Sequence, residues 1–304
     1  MVNPNKQSVN RKYPQDNRGI SAAQALFWAK ELLAQNGVET PLREAQDLLA
    51  HVLKWERVKL LAARELVLSP VVGRSFSALV RRRARREPLQ YLLGEAEFCG
   101  RMFQVGPGVL IPRPETELLV AEALRCCQDQ SVTRILDLGT GSGCLALTLA
   151  RQYPDARVWG LDVSPRALKW ARSNRRRFPE GHCRFVQGNA GRDFFPAGRN
   201  RFSLVVSNPP YIPQADLAAL QPEVLREPRL ALSGGKRGLK KIEVMLRAAG
   251  RCLAPGGAAV FEIGIHQAPE VVRMFSEMGF GDIHEIKDWN NIIRIVSGVK
   301  KQLV

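Results

Sequence analysis

Ile135-Leu136-Asp137-Leu138-Gly139-Thr140-Gly141-Ser142-Gly143 is the stretch that decides the fold. A short apolar run ends in three glycines at alternate positions, and Cys144-Leu145-Ala146 follows. This predicts a strand, a tight loop and the start of a helix, because glycine lets a backbone turn sharply and approach a ligand closely. The spacing is G-x-G-x-G, not the G-x-G-x-x-G of dinucleotide folds. An acid at the strand end, Asp137, would repel a pyrophosphate and attract an ammonium group. The expected ligand is therefore a nucleotide that bears an amino acid, rather than NAD. Asp162 closes the next apolar run, Val158-Trp159-Gly160-Leu161. It lies about twenty residues beyond the glycines, the separation at which a carboxylate chelates ribose hydroxyls. Its other reading is an exposed helix cap, since Ser164-Pro165 opens a helix directly after it.

Outward from this loop the chain alternates. Strands are expected at 134–138, 157–161, 184–187, 202–207, 258–263, 281–286 and 292–296, with helices between most of them. Such alternation predicts an α/β domain whose parallel sheet is covered on both faces. Upstream the pattern is helical. Ser21 can cap a helix that carries Leu26, Ala29, Leu32 and Leu33 on one stripe and stops at Gly37. Pro41 starts a second helix with Ala45, Leu48, Leu49 and Val52 on one face, and shorter helices are expected at 59–63 and 72–86. Glu97–Val105 reads as a strand and Gly106-Pro107-Gly108 as the turn of a hairpin that runs through Leu110. Ile111-Pro112-Arg113-Pro114 is a rigid lead-in to a helix over 115–127.

A second motif, Ser207-Asn208-Pro209-Pro210-Tyr211, follows the buried-strand pattern Leu204-Val205-Val206. Gly198-Arg199-Asn200 reads as the turn before that strand. The prolines fix φ, remove donors and push Asn208 toward an extended conformation. Two acceptors, the Asn208 side-chain oxygen and the Pro209 carbonyl oxygen, can then converge on one NH2 group, with Tyr211 as a flat apolar neighbour. The simpler alternative is a stiffened strand-to-loop turn.

The 304 residues suit one large or two ordinary domains, and 45% hydrophobic content suits a sizeable core. No apolar run approaches a membrane span. The polar first eighteen residues lack the apolar segment of a secretory signal; a disordered extension is expected, with a weak transit peptide as its alternative. Six cysteines and four histidines show no ligand spacing, so neither a metal site nor a disulfide framework is expected, which suits a reducing cytosol. Lys plus Arg exceeds Asp plus Glu, 45 against 29, giving +16. That favours an acidic partner, nucleic acid or protein. The densest basic block, Arg81-Arg82-Arg83-Ala84-Arg85-Arg86, reads either as part of that surface or as a solvated helix face.

Together the glycine loop, Asp162 and Asn208-Pro209-Pro210-Tyr211 resemble the class I S-adenosylmethionine-dependent methyltransferases that methylate planar NH2 groups. Arg86–Gly94, Phe98, Ile111–Glu117, Glu227-Pro228, Ala231-Leu232, Gly234-Gly235 and Glu262-Ile263-Gly264 resemble the release-factor glutamine methyltransferase family (PrmC/HemK), across roughly residues 20–298. The resemblance implies a Rossmann-like seven-stranded sheet preceded by a small helical domain and a β-hairpin linker. It divides the chain into a disordered extension (1–19), a helical substrate-recognition domain (20–95), the linker (96–112) and the methyltransferase domain (113–304). It implies S-adenosylmethionine as cofactor, S-adenosylhomocysteine as product, and the Gly-Gly-Gln glutamine of peptide chain release factors as substrate. Gly139, Thr140, Gly141, Ser142, Gly143, Asp162, Ala190 and Asn208 would bind cofactor. Asn208, Pro209, Pro210 and Tyr211 would bind substrate, with Asn208, Pro209 and Tyr211 catalytic. A cytoplasmic monomer that needs neither nucleic acid nor membrane is expected.

Three positions depart from the family pattern. Asn189-Ala190, beside the adenine, replaces an acid and a bulky residue. Ser203 replaces an Asp at a position read as structural. Asp288-Trp289-Asn290-Asn291 lacks the usual glycine, although Arg294 is present. Two other readings stay open: an adenine-amine methyltransferase acting on nucleic acid, and a non-catalytic RNA- or ribosome-binding protein. Against the first, no added target-recognition domain follows the sheet; against the second, the glycine loop and Asn208 are intact.

Overall fold

The computed structural model describes residue 13 and residues 19–63, 65–128, 130–192 and 201–301. The expected turn at 198–200 lies outside these residues. So does the expected extension, apart from Gly19 and Tyr13, whose ring meets Trp28 edge-on at 5.0 Å. The chain forms two compact units: residues up to Gly94 together with Gln221–Arg226, and Glu95–Leu220 together with the chain from Glu227 onward.

The first unit is helical. It runs β1 (Ile20–Ser21), α1 (Ala22–Gln35), α2 (Pro41–Leu53), α3 (Arg57–Ala62), β2 (Val67–Leu68), α4 (Pro70–Ala84) and α5 (Leu89–Leu93). Ser21 caps α1 in a reciprocal box with Gln24, which satisfies two amides the helix itself cannot. Trp28, Leu32, Leu33, Leu48, Leu49, Phe76 and Val80 form its core. The arginine block is not simply a solvated face. Arg83 is 5% exposed and lies between Glu44 and Glu223, and Arg86 makes a two-pronged pair with Glu223 at 2.6 and 2.7 Å. Arg86 also donates to the Gly37 carbonyl at 2.7 Å, and Arg82 pairs with Glu87. Glu223 thereby ties the Gln221–Arg226 segment into the helical unit.

The second unit begins with the hairpin β3 (Glu95–Phe98) and β4 (Arg101–Gln104). Its turn is Cys99-Gly100, not the expected Gly106-Pro107-Gly108. Both turn residues have positive φ, +48° and +70°, the two-residue geometry whose twist matches an antiparallel pair. The unit continues with α6 (Thr116–Cys126), β5 (Arg134–Leu138), α7 (Cys144–Gln152), β6 (Arg157–Asp162), α8 (Pro165–Arg177), β7 (His182–Gln187) and β8 (Phe202–Ser207). Then come β9 (Ile212–Pro213), α9 (Arg229–Leu232), β10 (Ser233–Gly235), α10 (Lys240–Cys252), β11 (Leu253–Glu262), α11 (Ala268–Glu277), β12 (Phe280–Lys287) and β13 (Ile293–Lys300).

Seven of these strands form one sheet in the order β12-β13-β11-β8-β5-β6-β7. It is mixed rather than wholly parallel. β11, β8, β5, β6 and β7 run parallel, while β13 is antiparallel to both β11 and β12. The link between β12 and β13 is too short for a crossover, so that pair has to be antiparallel. Alternate residues of β8 divide the core. Leu204 and Val206 pack with Leu119, Ala123 and Leu145 of α6 and α7 on one face. Val205 packs with Ile242 and Leu246 of α10 and Val271 and Phe275 of α11 on the other. Chain order leaves β5 in opposite directions, to β6 on one side and β8 on the other. This is a switch point, where a crevice opens beyond the carboxyl ends of the strands.

Two of the three departures have plain structural answers. Ser203 Oγ accepts from the Thr133 amide at 3.2 Å. Asn291 takes φ +61°, a conformation Asn tolerates better than most residues, and so does the work of a glycine. Asp288 pins the same turn through the Asn290 and Ile292 amides and pairs with Arg294 at 2.9 Å.

Candidate active site

A cavity of about 340 Å³ lies at the switch point, within the range of small-molecule sites. Its floor is the loop from β5 to α7. Gly139, Gly141 and Gly143 hold φ of +78°, +56° and +81°, which side chains rarely tolerate. The Gly139 and Thr140 amides donate to the Leu161 carbonyl at 2.8 and 3.0 Å, docking the loop on the end of β6. Asp162 stands beside it. One oxygen accepts from the Gly141 amide at 2.9 Å and the other from the Ser164 amide at 2.8 Å. Burial pushes this carboxyl above its ordinary value against the pull of those amides. Each oxygen keeps a second lone pair, and the residue lines the cavity. The two sequence readings of Asp162 therefore hold together: it braces the loop and the start of α8, and it can also accept from a ligand.

Asp137 does not act as expected. It is 0% exposed, is absent from the cavity wall, and accepts from the Thr140 hydroxyl at 2.6 Å. Burial raises it to about 7. Its position in β5 turns the carboxyl into the protein, so it shapes the loop and does not meet a ligand ammonium.

Asn208 leaves β8 at the cavity rim, and its carboxamide is held from behind. Nδ2 donates to Thr116 Oγ1 at 3.0 Å, and Thr116 donates to Glu262 Oε2 at 2.6 Å. The Tyr211 hydroxyl donates to Glu262 Oε1 at 3.1 Å. Glu262 ends β11 and is 1% exposed; burial raises it to about 7, against the Thr116 and Tyr211 hydrogen bonds. Burial, and next to it Glu262, keeps the Tyr211 phenol protonated by raising its pKa. The Tyr211 carbonyl accepts from Gln267 Nε2 at 2.9 Å, and Gln267 Oε1 accepts from the Gly264 amide at 2.9 Å. The lead-in to α6 is pinned too. Glu227, 5% exposed, accepts from the Ile111 amide at 2.9 Å and pairs with Arg113. That clamp sets Pro112 and Thr116 in the cavity wall.

Of the residues the sequence singled out, Gly139, Thr140, Gly141, Ser142, Asp162, Ala190, Asn208 and Pro210 line the cavity. Gly143, Pro209 and Tyr211 do not. Gly143 caps α7, and a Cβ there would meet the Phe185 ring at 2.7 Å, so its smallness serves packing against β7. Pro209 is buried, and no hydrogen bond reaches its carbonyl among the described residues, which leaves that oxygen an acceptor beside Asn208 in the chain. Asn189 accepts from the Gly191 amide at 2.9 Å and lines the wall beside Ala190. Sequence reasoning gave no role to Thr116 or Glu262. A signal was available: Glu262, like Asp137 and Asp162, is an acid at the end of an apolar run. Among the described residues no cluster of His, Cys, Asp and Glu could hold a metal, and no helix is long and apolar enough to cross a membrane.

Comparison with known proteins matches both units. A family profile described as the PrmC N-terminal domain matches residues 24–94, and one described as a methyltransferase domain matches residues 135–227. The chain is 47% identical over 274 residues to the release factor glutamine methyltransferase of Geobacter sulfurreducens, spanning 90% of this chain and 94% of that one. Proteins of the same name from Gloeobacter violaceus and Burkholderia pseudomallei are 40% and 39% identical, over 88% and 89% of this chain and 94% and 95% of theirs. Identity at this level, spread over nearly the whole length of both chains, means that the chain belongs to the release factor glutamine methyltransferase family.

Proposed function

We propose that this chain transfers a methyl group from S-adenosylmethionine to the side-chain amide nitrogen of the glutamine in the Gly-Gly-Gln loop of peptide chain release factors. The products are N5-methylglutamine and S-adenosylhomocysteine, and one amide proton, made acidic by the transfer, leaves to solvent. The observation that carries the reading is the placement of Asn208. Its NH2 is committed to Thr116, so its oxygen is left to accept at the rim of a glycine-floored cavity.

The residues present fit the cofactor. Gly139 and Gly141, both at positive φ, bring bare backbone to the cavity floor, Asp162 offers lone pairs to hydroxyls, and Asn189 and Ala190 leave room where an adenine would lie. When bound, S-adenosylmethionine supplies a methyl group on a positively charged sulfur. The protein has to position a poor nucleophile, since an amide lone pair is delocalised into its carbonyl. Asn208 Oδ1 and the Pro209 carbonyl accept the two amide hydrogens and aim the nitrogen, a positioning effect that lowers the barrier. Those acceptors bind more tightly as the nitrogen gains positive charge, so they favour the transition state over the ground state. Tyr211, anchored through its hydroxyl, stiffens the turn that carries both acceptors.

In this reading the helical unit recognises the release factor, the enzyme works as a cytoplasmic monomer, and nucleic acid is not required. Radiolabelled methyl transfer offered to release factor and to DNA tests it. Transfer to release factor with methylation mapped to the Gly-Gly-Gln glutamine is expected; label on adenine instead defeats it.

A further inference from the structure

The hydrogen bonds behind Asn208 all run toward one group. Thr116 and Tyr211 donate to the two oxygens of Glu262, which is 1% exposed. An ionised carboxylate can only accept. Thr116 spends its one proton on Glu262, so its oxygen is left to accept, and the group it meets must be the NH2 end of Asn208. We propose that Glu262, acting through Thr116, is the positioning residue that decides which end of the Asn208 carboxamide faces the substrate, and that its ionised form selects the productive end. This deepens, and rests on, the glutamine-amide reading above.

A proton on Glu262 reverses the chain. With its proton on Oε2, the oxygen that faces Thr116, Glu262 becomes a donor to Thr116, and the Thr116 proton then turns toward Asn208. The Asn208 oxygen follows it inward, and the NH2 faces the substrate NH2, donor against donor. Burial raises Glu262 to about 7; the Thr116 and Tyr211 hydrogen bonds oppose the rise, Glu115 adds to it and Arg294 opposes it. Arg113 acts on the neighbouring Tyr211. The productive orientation is therefore lost as pH falls through about 7. A glutamine amide and a sulfonium do not titrate in this range, so the acid limb reports the protein.

The test measures kcat, and KM for cofactor and for release factor, against pH for the parent, Glu262→Gln, Thr116→Val and Thr116→Ser. The parent should lose kcat on the acid side of about neutral pH. Glu262→Gln should lower kcat roughly ten- to a hundredfold, the usual cost of losing a group that orients a working side chain. It should leave KM for cofactor near the parental value and abolish the acid limb. Thr116→Val, of the same shape but without the hydroxyl, should do the same even if the glutamine variant fails to fold, and Thr116→Ser should restore both rate and limb. The double variant should cost no more than the worse single one, because both cut one chain. A folded Thr116→Val with parental kcat, or one that keeps the acid limb, overturns the proposal. A parent that methylates no release factor at any pH instead overturns the glutamine-amide reading itself, a result separable from an active parent with indifferent variants.

Discussion

Asn208→Ala removes two things at once. The cavity rim loses the Oδ1 acceptor, and Thr116 loses the NH2 that donates to it at 3.0 Å. The second loss is small for the fold, because Thr116 keeps its 2.6 Å hydrogen bond to Glu262 and water can reach the vacated rim. The first falls on the transition state. A well-placed hydrogen bond to developing charge is worth about 2.7–4 kcal/mol, so kcat should fall roughly a hundred- to a thousandfold. Affinity for cofactor should change little, since the glycine loop and Asp162 are untouched. Asn208→Asp is the sharper variant. It keeps the shape and the acceptor oxygen but replaces the NH2 by a second oxygen, which cannot donate to Thr116, whose own proton is already given to Glu262. It also sets a second carboxylate one hydroxyl away from a buried one, which favours a proton on one of the two. Asn208→Asp should therefore lose kcat as alanine does and should not rescue it. The assay is single-turnover methyl transfer to intact release factor, with calorimetry for cofactor binding and circular dichroism for the fold. Near-parental kcat in a folded Asn208→Ala would refute the mechanism and leave the proline turn purely structural.

Asp162→Ala should weaken S-adenosylmethionine binding by about 1.5–3 kcal/mol, the value of a hydrogen bond to a charged group, and should also lower stability because Gly141 and Ser164 lose their acceptor; unchanged calorimetric affinity would reject its assignment. Asp137 is raised to about 7, so its contribution to stability is full below the unfolded value and is lost as pH rises through about 7. Asp137→Asn should thus flatten the decline in thermal stability between about pH 4 and about pH 7, and an unchanged slope there would exclude Asp137 as its source. Glu223→Ala leaves Arg83, 5% exposed, with Glu44 alone, and should cost about 3 kcal/mol in denaturant titrations. Deleting residues 1–86 should raise KM for intact release factor more than for a short Gly-Gly-Gln peptide; equal losses on both would assign the helical unit to folding rather than to recognition.

What could be read along the chain was what local physics encodes. Strands 134–138 and 202–207 were legible to the residue, because an apolar run stopped by glycine or proline has few other conformations. The glycine loop and the Asn-Pro-Pro turn were legible because each demands residue types that little else requires. The hairpin turn was misplaced because Cys99, a non-glycine residue, adopts positive φ there, while the more obvious Gly106-Pro107-Gly108 serves another purpose. Gly106 passes under the Trp170 ring, where a Cβ would come within 2.4 Å.

The sequence by itself determined the class of fold, the switch-point crevice with its glycine loop, and the proline-stiffened turn after β8. Each of these follows from periodicity or from allowed φ within a few consecutive residues. Only the tertiary structure decided which acids do which work. Asp137, Asp162 and Glu262 look alike in sequence, each closing an apolar run. Folding turns Asp137 inward to Thr140, leaves Asp162 on the cavity wall, and buries Glu262 behind Asn208. Thr116 stands 92 residues from Asn208 and 146 from Glu262, and Glu223 stands 137 from Arg86. Contacts at such separations carry no local pattern, because they arise where strand order and helix packing happen to bring chain ends together. The direction of the hydrogen bond between Asn208 and Thr116 is set by those neighbours alone.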